Sequence, residues 1–205
     1  MKAPNKKPLG RPPVQQEGLP TSQHILMTAS TLFMEKGFES VTMNMVAEHS
    51  GVTKASVYYY YPTKNELFVA CMVAVLVNVK QRIEALLARP GSFRERLELI
   101  AQNYLRVPQV HMDGMAEKVK HHLNEEQHER LNKHENALYK ALEKGFADAA
   151  ERGEIYCEKP LVAAHLYVSM LKVGERRYSN NEALFESNEE AAATIVAFVW
   201  RGLHQ

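Results

Sequence analysis

The sequence predicts an all-α protein, on three observations. Apolar residues recur every three or four positions over long stretches and nowhere alternate in the two-residue rhythm of a strand. Threonines stand immediately before several of these stretches, where a helix needs a side-chain acceptor for its first free N–H groups. Glycine or proline stands immediately after them, at Gly37, Pro62, Pro90-Gly91 and Gly153. Taken in order, the elements divide into an N-terminal three-helix unit with a helix-turn-helix and a larger helical region behind it.

Residues 1–20 carry Pro, Gly, Lys and Gln with little apolar content and are expected to form a mobile basic arm. Order is expected from Thr21, where Ile25, Leu26, Ala29, Leu32 and Phe33 share one face and Gly37-Phe38 supplies the stop. Thr42 caps a second, short helix over Met43 to His49 with Met43, Val46 and Ala47 inward. Gly51-Val52 makes a tight connection, Thr53 caps a third helix and Pro62 ends it. The unit is expected to span 21–66. Thr63 followed by Glu66 reads as a capping box opening a long fourth helix that runs through Leu87. A fifth, carrying Phe93, Leu97, Ile100, Ala101 and Tyr104, ends before Pro108, and a short piece surrounds His111 to Met115. A charged helix then runs to about Arg152, another starts at Pro160, and the last covers Glu189 to Leu203, so that residues 67–205 form the second region.

Ala47, Gly51 and Val57 satisfy what a helix-turn-helix demands: a small residue at a close crossing, a glycine in the turn and an apolar residue seating the second helix. The third helix is too short to serve as a core element and has little apolar surface besides Val57, so its other face must look outward. Lys54, Ala55 and Ser56 occupy its first turn, where such a helix meets base edges, with Tyr59 one turn further along the same side. A tyrosine there offers its ring to a thymine methyl and its hydroxyl to a phosphate or base acceptor. By angle, Tyr61 packs inward, Tyr58 and Tyr59 face outward and Tyr60 is left unassigned; an aromatic cluster closing the small unit is the competing reading of the four rings. Lys64, at the start of the fourth helix, can reach a phosphate with help from the partial positive charge of the helix N-terminus.

The stretch SQHILMTASTLFMEKGFESVTMNMVAEHSGVTKASVYYYYPTKNEL resembles the DNA-binding domain of the TetR family of transcriptional regulators, over roughly the first third of the chain. The resemblance implies an all-helical homodimer on double-stranded DNA, with a C-terminal domain holding an effector pocket and the dimer contact. By matched position it implies that Thr42 and Ser56 touch phosphate or bases, Tyr58 holds a phosphate, Tyr59 sits in the groove and Lys64 fixes the backbone; Thr53, Lys54 and Ala55, at the start of the third helix, are expected on the same DNA-binding surface. Ala55 stands where the family usually has glycine, Met45 where a polar residue is common, and Tyr61 where phenylalanine is usual. In the arm, Gly10-Arg11-Pro12-Pro13 behind Lys6-Lys7 resembles the core of AT-hook segments, in which an extended arginine enters a narrow minor groove; a solvated tail is the alternative.

Beyond Pro160, Leu161 to Val173 is apolar on nearly every side, and so is Ala191 to Trp200. Two such helices at the end of a small chain call for a partner surface, and a four-helix contact between two copies is expected, placing two reading helices on a palindrome. Tyr104, Met112, Met115, Tyr139, Phe146, Tyr167 and Met170 are the residues expected to line an effector cavity, although aromatics and methionines suit an ordinary core equally.

Composition excludes other classes. With 45% hydrophobic and 24% charged residues the chain is an ordinary globular one, and the apolar stretch Leu67 to Val79 falls short of the about 20 residues a bilayer span needs. No secretory h-region follows the basic start, so a cytoplasmic location is expected. Seven basic against four acidic side chains through Lys64 give the front +3, and the +1 of the whole chain leaves −2 behind, which places a polyanion at the N-terminal part. Cys71 and Cys157 lie far apart, and the spacing of His111, His121, His122, His128 and His134 fits a solvated helix better than a metal site. No cofactor motif, nucleophile with base, or paired carboxylates point to an enzyme. The expected activity is ligand-released repression; a regulator of the same fold controlled by a protein partner, without an effector, is the alternative.

Overall fold

The computed structural model describes residues 20–106, 119–177 and 182–203. Within them the chain forms eight α-helices: α1 Thr21–Ser40, α2 Met43–His49, α3 Lys54–Tyr60, α4 Lys64–Leu87, α5 Phe93–Arg106, α6 Glu125–Glu151, α7 Pro160–Gly174 and α8 Asn188–Gly202, with a 3₁₀ turn at Lys120–His122. No β-strand occurs among the described residues. The arm with Arg11, and the segment with Met112 and Met115, lie outside them.

The helix ends follow the expected chemistry. Gly37 breaks α1 with a φ of 76°, a left-handed value that disfavours any side chain, and Gly153 does the same past α6 with a φ of 71°. Thr42, Thr53 and Thr63 accept from the backbone N–H groups of Met45, Ser56 and Glu66 at 3.2, 3.1 and 3.1 Å. The expected capping box at Thr63 is only half built: its glutamate turns away to α6. A complete box stands instead at Asn124 and Gln127, opening α6.

Two cores share one helix. The first gathers Ile25, Phe33, Phe38, Val46, Val57, Leu67 and Phe68, and Val119 joins it from beyond α5. Three of its rings, Phe33, Phe38 and Phe68, meet with centroids 5.0 to 5.8 Å apart. The second gathers Ile83, Leu86, Phe93, Leu97, Phe146, Tyr167, Leu171 and Ile195. Thus α4 places its first turns in one core and its last turns in the other, with α6 alongside it. At Gly145 the two helices come so close that a Cβ would lie 2.9 Å from the Leu87 methyls.

The last two helices are buried on one side only. Ala164, Tyr167, Leu171, Ala191, Ile195 and Val196 face the core, while Leu166 and Phe198 remain 60% and 66% exposed, with Val162 and Val173 beside them on the outer surface of α7.

Because Phe68 closes the three-ring cluster at 1% exposure, its truncation to alanine is expected to cost about 3–5 kcal/mol in urea unfolding. A loss below about 1 kcal/mol would show the cluster to be loosely packed.

Candidate nucleic-acid interface

Helix α3 has one buried side chain, Val57, at 0% exposure. Behind it the turn is held by the Ser50 hydroxyl on the Val46 carbonyl at 2.5 Å, by the Val52 N–H on the Ala47 carbonyl at 3.1 Å, and by Gly51 at a φ of 64°. Glycine suits the position through its backbone alone: the left-handed φ disfavours a side chain, although a Cβ there would have no atom within 4 Å. His24 reaches the Ser50 carbonyl at 3.1 Å, and the Tyr61 hydroxyl donates to the Ser22 carbonyl at 3.1 Å, tying the turn and the far end of α3 to the first turn of α1. Partial burial raises the Tyr61 phenol above its ordinary value.

With Val57 inward, the remaining side chains of α3 turn to solvent. Tyr59 is 81% exposed and Tyr58 41%, and the Lys54 ammonium lies 5.7 Å from the Tyr58 ring centroid. Tyr60, unassigned from the sequence, is half-exposed and meets the Tyr59 ring edge-on at 5.1 Å. Thr53 and Ser56 share a hydroxyl hydrogen bond of 2.8 Å at the start of the helix, and Ala55 is exposed beside them. Thr42 stands exposed at the start of α2. Thr42, Thr53, Lys54, Ala55, Tyr58 and Tyr59 are therefore all solvent-exposed, with Ser56 half-buried next to them.

Lys64 is the more constrained member. Its Nζ donates to the Glu39 carbonyl at 3.2 Å and lies 4.2 Å from the Phe38 ring centroid, so it also closes the carboxyl end of α1. Partial desolvation lowers its ammonium below the ordinary lysine value, with the Glu39 carboxylate opposing. Two N–H donors of the ammonium remain for a phosphate.

Sequence reasoning missed the residues that lock this surface to the rest of the chain. Glu66 accepts from Gln127 Nε2 at 2.5 Å and from Arg130 Nη1 at 2.7 Å, and Asn65 donates to the His122 carbonyl at 2.6 Å. The available signal was Asn124-x-x-Gln127, a capping pattern as readable as the one at Thr63.

Of the residues expected to line an effector cavity, Tyr104, Tyr139, Phe146, Tyr167 and Met170 lie among the described residues. Tyr167 and Phe146 are fully buried, Tyr167 with its hydroxyl on the Leu97 carbonyl at 2.6 Å and Phe146 edge-on to Phe93 at 5.0 Å. Tyr139 stacks on His165 at 3.8 Å, and Tyr104 and Met170 pack partly buried against the same core. A cleft of about 300 Å³ opens elsewhere, among Leu87, Phe93, Arg96, Lys144, Gly145 and Asp148 at the far end of α4 and α6, and none of these five described residues lines it. Among the described residues no group of three or more His, Cys, Asp or Glu could hold a metal ion, and no helix is long and apolar enough to cross a membrane.

Comparison with known proteins places this geometry. Residues 25–71 match the family model "Bacterial regulatory proteins, tetR family". The HTH-type transcriptional regulator AcrR of Shigella flexneri is 37% identical over 54 residues, 26% of this chain and 25% of its own. The chain thus spans a quarter of that relative, and 45% of the next, a regulator of Bacillus subtilis. Solved structures extend the likeness in fold over nearly the whole length. A TetR/AcrR-family regulator from Thermobifida fusca YX-ER1 superposes with a TM-score of 0.68 at 24% identity, covering 90% of this chain and 98% of that one. AibR, in complex with isovaleryl coenzyme A and operator DNA, gives 0.61 at 20% identity over 88% and 98%.

The Gln127 amide holds the Glu66 carboxyl below the usual glutamate range; partial burial works against it and Arg130 adds to it. A carboxyl depressed in the folded state contributes stability above its unfolded value and loses it as pH falls through the folded one. Glu66→Gln is therefore expected to flatten the decline of unfolding free energy below about pH 4.3 and to leave the pH 6–8 region without slope change. Identical acid limbs in the two proteins, by denaturant titration at each pH, would remove Glu66 from that decline.

Proposed function

We propose that this chain, which carries the TetR-family DNA-binding domain at residues 25–71, is a transcriptional regulator that binds a palindromic operator as a homodimer and is released from it by a small-molecule effector. The observation that carries the reading is the outward face of α3. A seven-residue helix seated by one valine exposes three tyrosines and a lysine, beside the capped start of α4. An exposed aromatic cluster is costly to leave in water unless something covers it, and base edges and phosphates suit rings with hydroxyl tips and an adjacent ammonium.

In this reading Tyr59 enters the major groove, Tyr58 and Lys54 engage phosphate, Thr42 and Ser56 contribute hydroxyls and Lys64 anchors the backbone. The homodimer forms through α7 and α8. Support comes from Leu166 and Phe198, whose exposure on two adjacent helices leaves an apolar surface that a second copy would bury by twofold symmetry. Effector control draws support from AibR, solved with both isovaleryl coenzyme A and operator DNA. The ligand acts only through its different affinities for DNA-competent and incompetent arrangements. Regulation by a protein partner is the second reading, favoured by the closed packing of Phe146 and Tyr167 where a cavity was expected.

Tyr59→Ala is expected to weaken a duplex selected by the wild-type chain by about 1–3 kcal/mol while barely affecting random DNA. Lys64→Ala should weaken both and reduce the salt slope by about one ion. Equal losses on both duplexes for the tyrosine change would remove it from base reading. For the dimer, Phe198→Glu combined with Leu166→Glu is expected to give a monomer by sedimentation velocity, with helical content unchanged; a persisting dimer would move the interface elsewhere.

A further inference from the structure

Gln127 is 4% exposed, one of two buried polar residues among those described, the other being Ser50. Its amide has two separate partners. Oε1 accepts from the Asn124 N–H at 3.1 Å and closes the cap of α6, while Nε2 donates to Glu66 at 2.5 Å. The orientation is determined by both, since flipping the amide would set its NH₂ against the Asn124 N–H and its oxygen against a carboxylate. The other oxygen of Glu66 takes Arg130 at 2.7 Å. Glu66 sits at the position where a capping-box glutamate folds back on its own helix; here both oxygens turn outward to α6.

Its neighbours in α4 extend the attachment. Asn65 holds the His122 carbonyl, the His122 ring stacks on Phe38 at 6.4 Å with Nε2 3.7 Å from the Glu39 carboxylate, and Val119 is buried in the first core. Lys64, one residue before, closes the end of α1. Three successive residues of α4 therefore touch α1, the turn before α6, and α6 itself. Helix α6 has 27 residues and is about 40 Å long, reaching from this point to the cleft at Lys144 and Asp148.

We infer that Asn65, Glu66, Gln127 and Arg130 form a clasp that positions the DNA-reading unit on α6, and that opening it lowers affinity for DNA. The inference rests on the proposed reading of the α3 face. Gln127 and Arg130 both lie on α6 and hold the two oxygens of one carboxylate, so a displacement of α6 from α4 strains both bonds together and the clasp opens as a unit rather than by degrees. An unclasped reading unit samples more orientations, and binding a duplex must then order it again. The four residues are positioning residues and touch no DNA themselves.

The test uses the full chain and two readouts. One is amide hydrogen exchange of residues 38–41 and 119–123 in the free protein; the other is affinity for a 30-base-pair duplex selected from a random library by the wild-type chain. Arg130→Glu sets two carboxylates together and is expected to raise exchange in both segments roughly tenfold and weaken the duplex roughly fivefold, with sedimentation unchanged. The reversal Glu66→Arg with Arg130→Glu should restore both, a recovery that a general loss of stability would not give. Unchanged exchange in Arg130→Glu, a reversal no better than the single change, or faster exchange at undiminished affinity would each overturn the clasp. Should Arg130→Glu fail to fold, Arg130→Met and Asn65→Ala carry the same two measurements. If the wild-type chain selects no duplex, the DNA reading falls, and exchange in the free protein still decides whether the clasp exists.

Discussion

A helix of seven residues cannot hold itself in place. Isolated, α3 would be far too short to persist, and it buries a single side chain, Val57. Everything around it answers that deficiency: the small Ala47 that lets α2 approach, the left-handed Gly51 that reverses the chain, the Thr53 and Thr63 caps at either flank, and the bonds from His24 and Tyr61 that close on α1. The same poverty of inward contacts is what leaves Tyr58 and Tyr59 outside. A more self-sufficient helix would have used those rings for its own core.

The second constraint is that α4 belongs to both halves. Leu67, Phe68 and Cys71 lie in one core and Ile83 and Leu86 in the other, so the two cores are joined by continuous helix rather than by a linker. Cys71 illustrates how thoroughly the first core is closed: desolvation pushes its thiol up to about 12, which makes it an inert packing residue rather than a reactive one. A rigid shared rod transmits orientation, and the polar contacts at its first turn decide against what that orientation is measured.

Much of this was legible in the sequence, and the reasons are local. Thr42, Thr53, Gly37, Gly153 and Pro62 act on backbone groups within a turn of themselves, so their consequences can be read without knowing the fold. The division of the tyrosines followed from one angle, because Val57 alone sets which way is inward. What sequence could not supply were choices between equally good partners. Glu66 had a satisfactory acceptor role three residues back, and only the approach of α6 diverted it. Phe146 and Tyr167 carry the composition of a ligand cavity, and whether such rings enclose space or fill it depends on distances between helices that composition does not encode. The cleft is walled by charged side chains such as Lys144 and Asp148 together with Leu87, Phe93 and Gly145, residues distant in sequence whose convergence only the packing of the helices brings about.

The bare spot at Gly145 lets α6 lie against Leu87 of α4 with no side chain of its own in the way. An alanine there would set its Cβ 2.9 Å from the Leu87 methyls and force the two helices or the leucine to shift. A rod rocking about that point has unequal arms: roughly 18 residues, or about 27 Å, toward Gln127, and roughly six, or about 9 Å, toward Glu151. Any tilt about that contact would move the Gln127 end about three times as far as the Glu151 end.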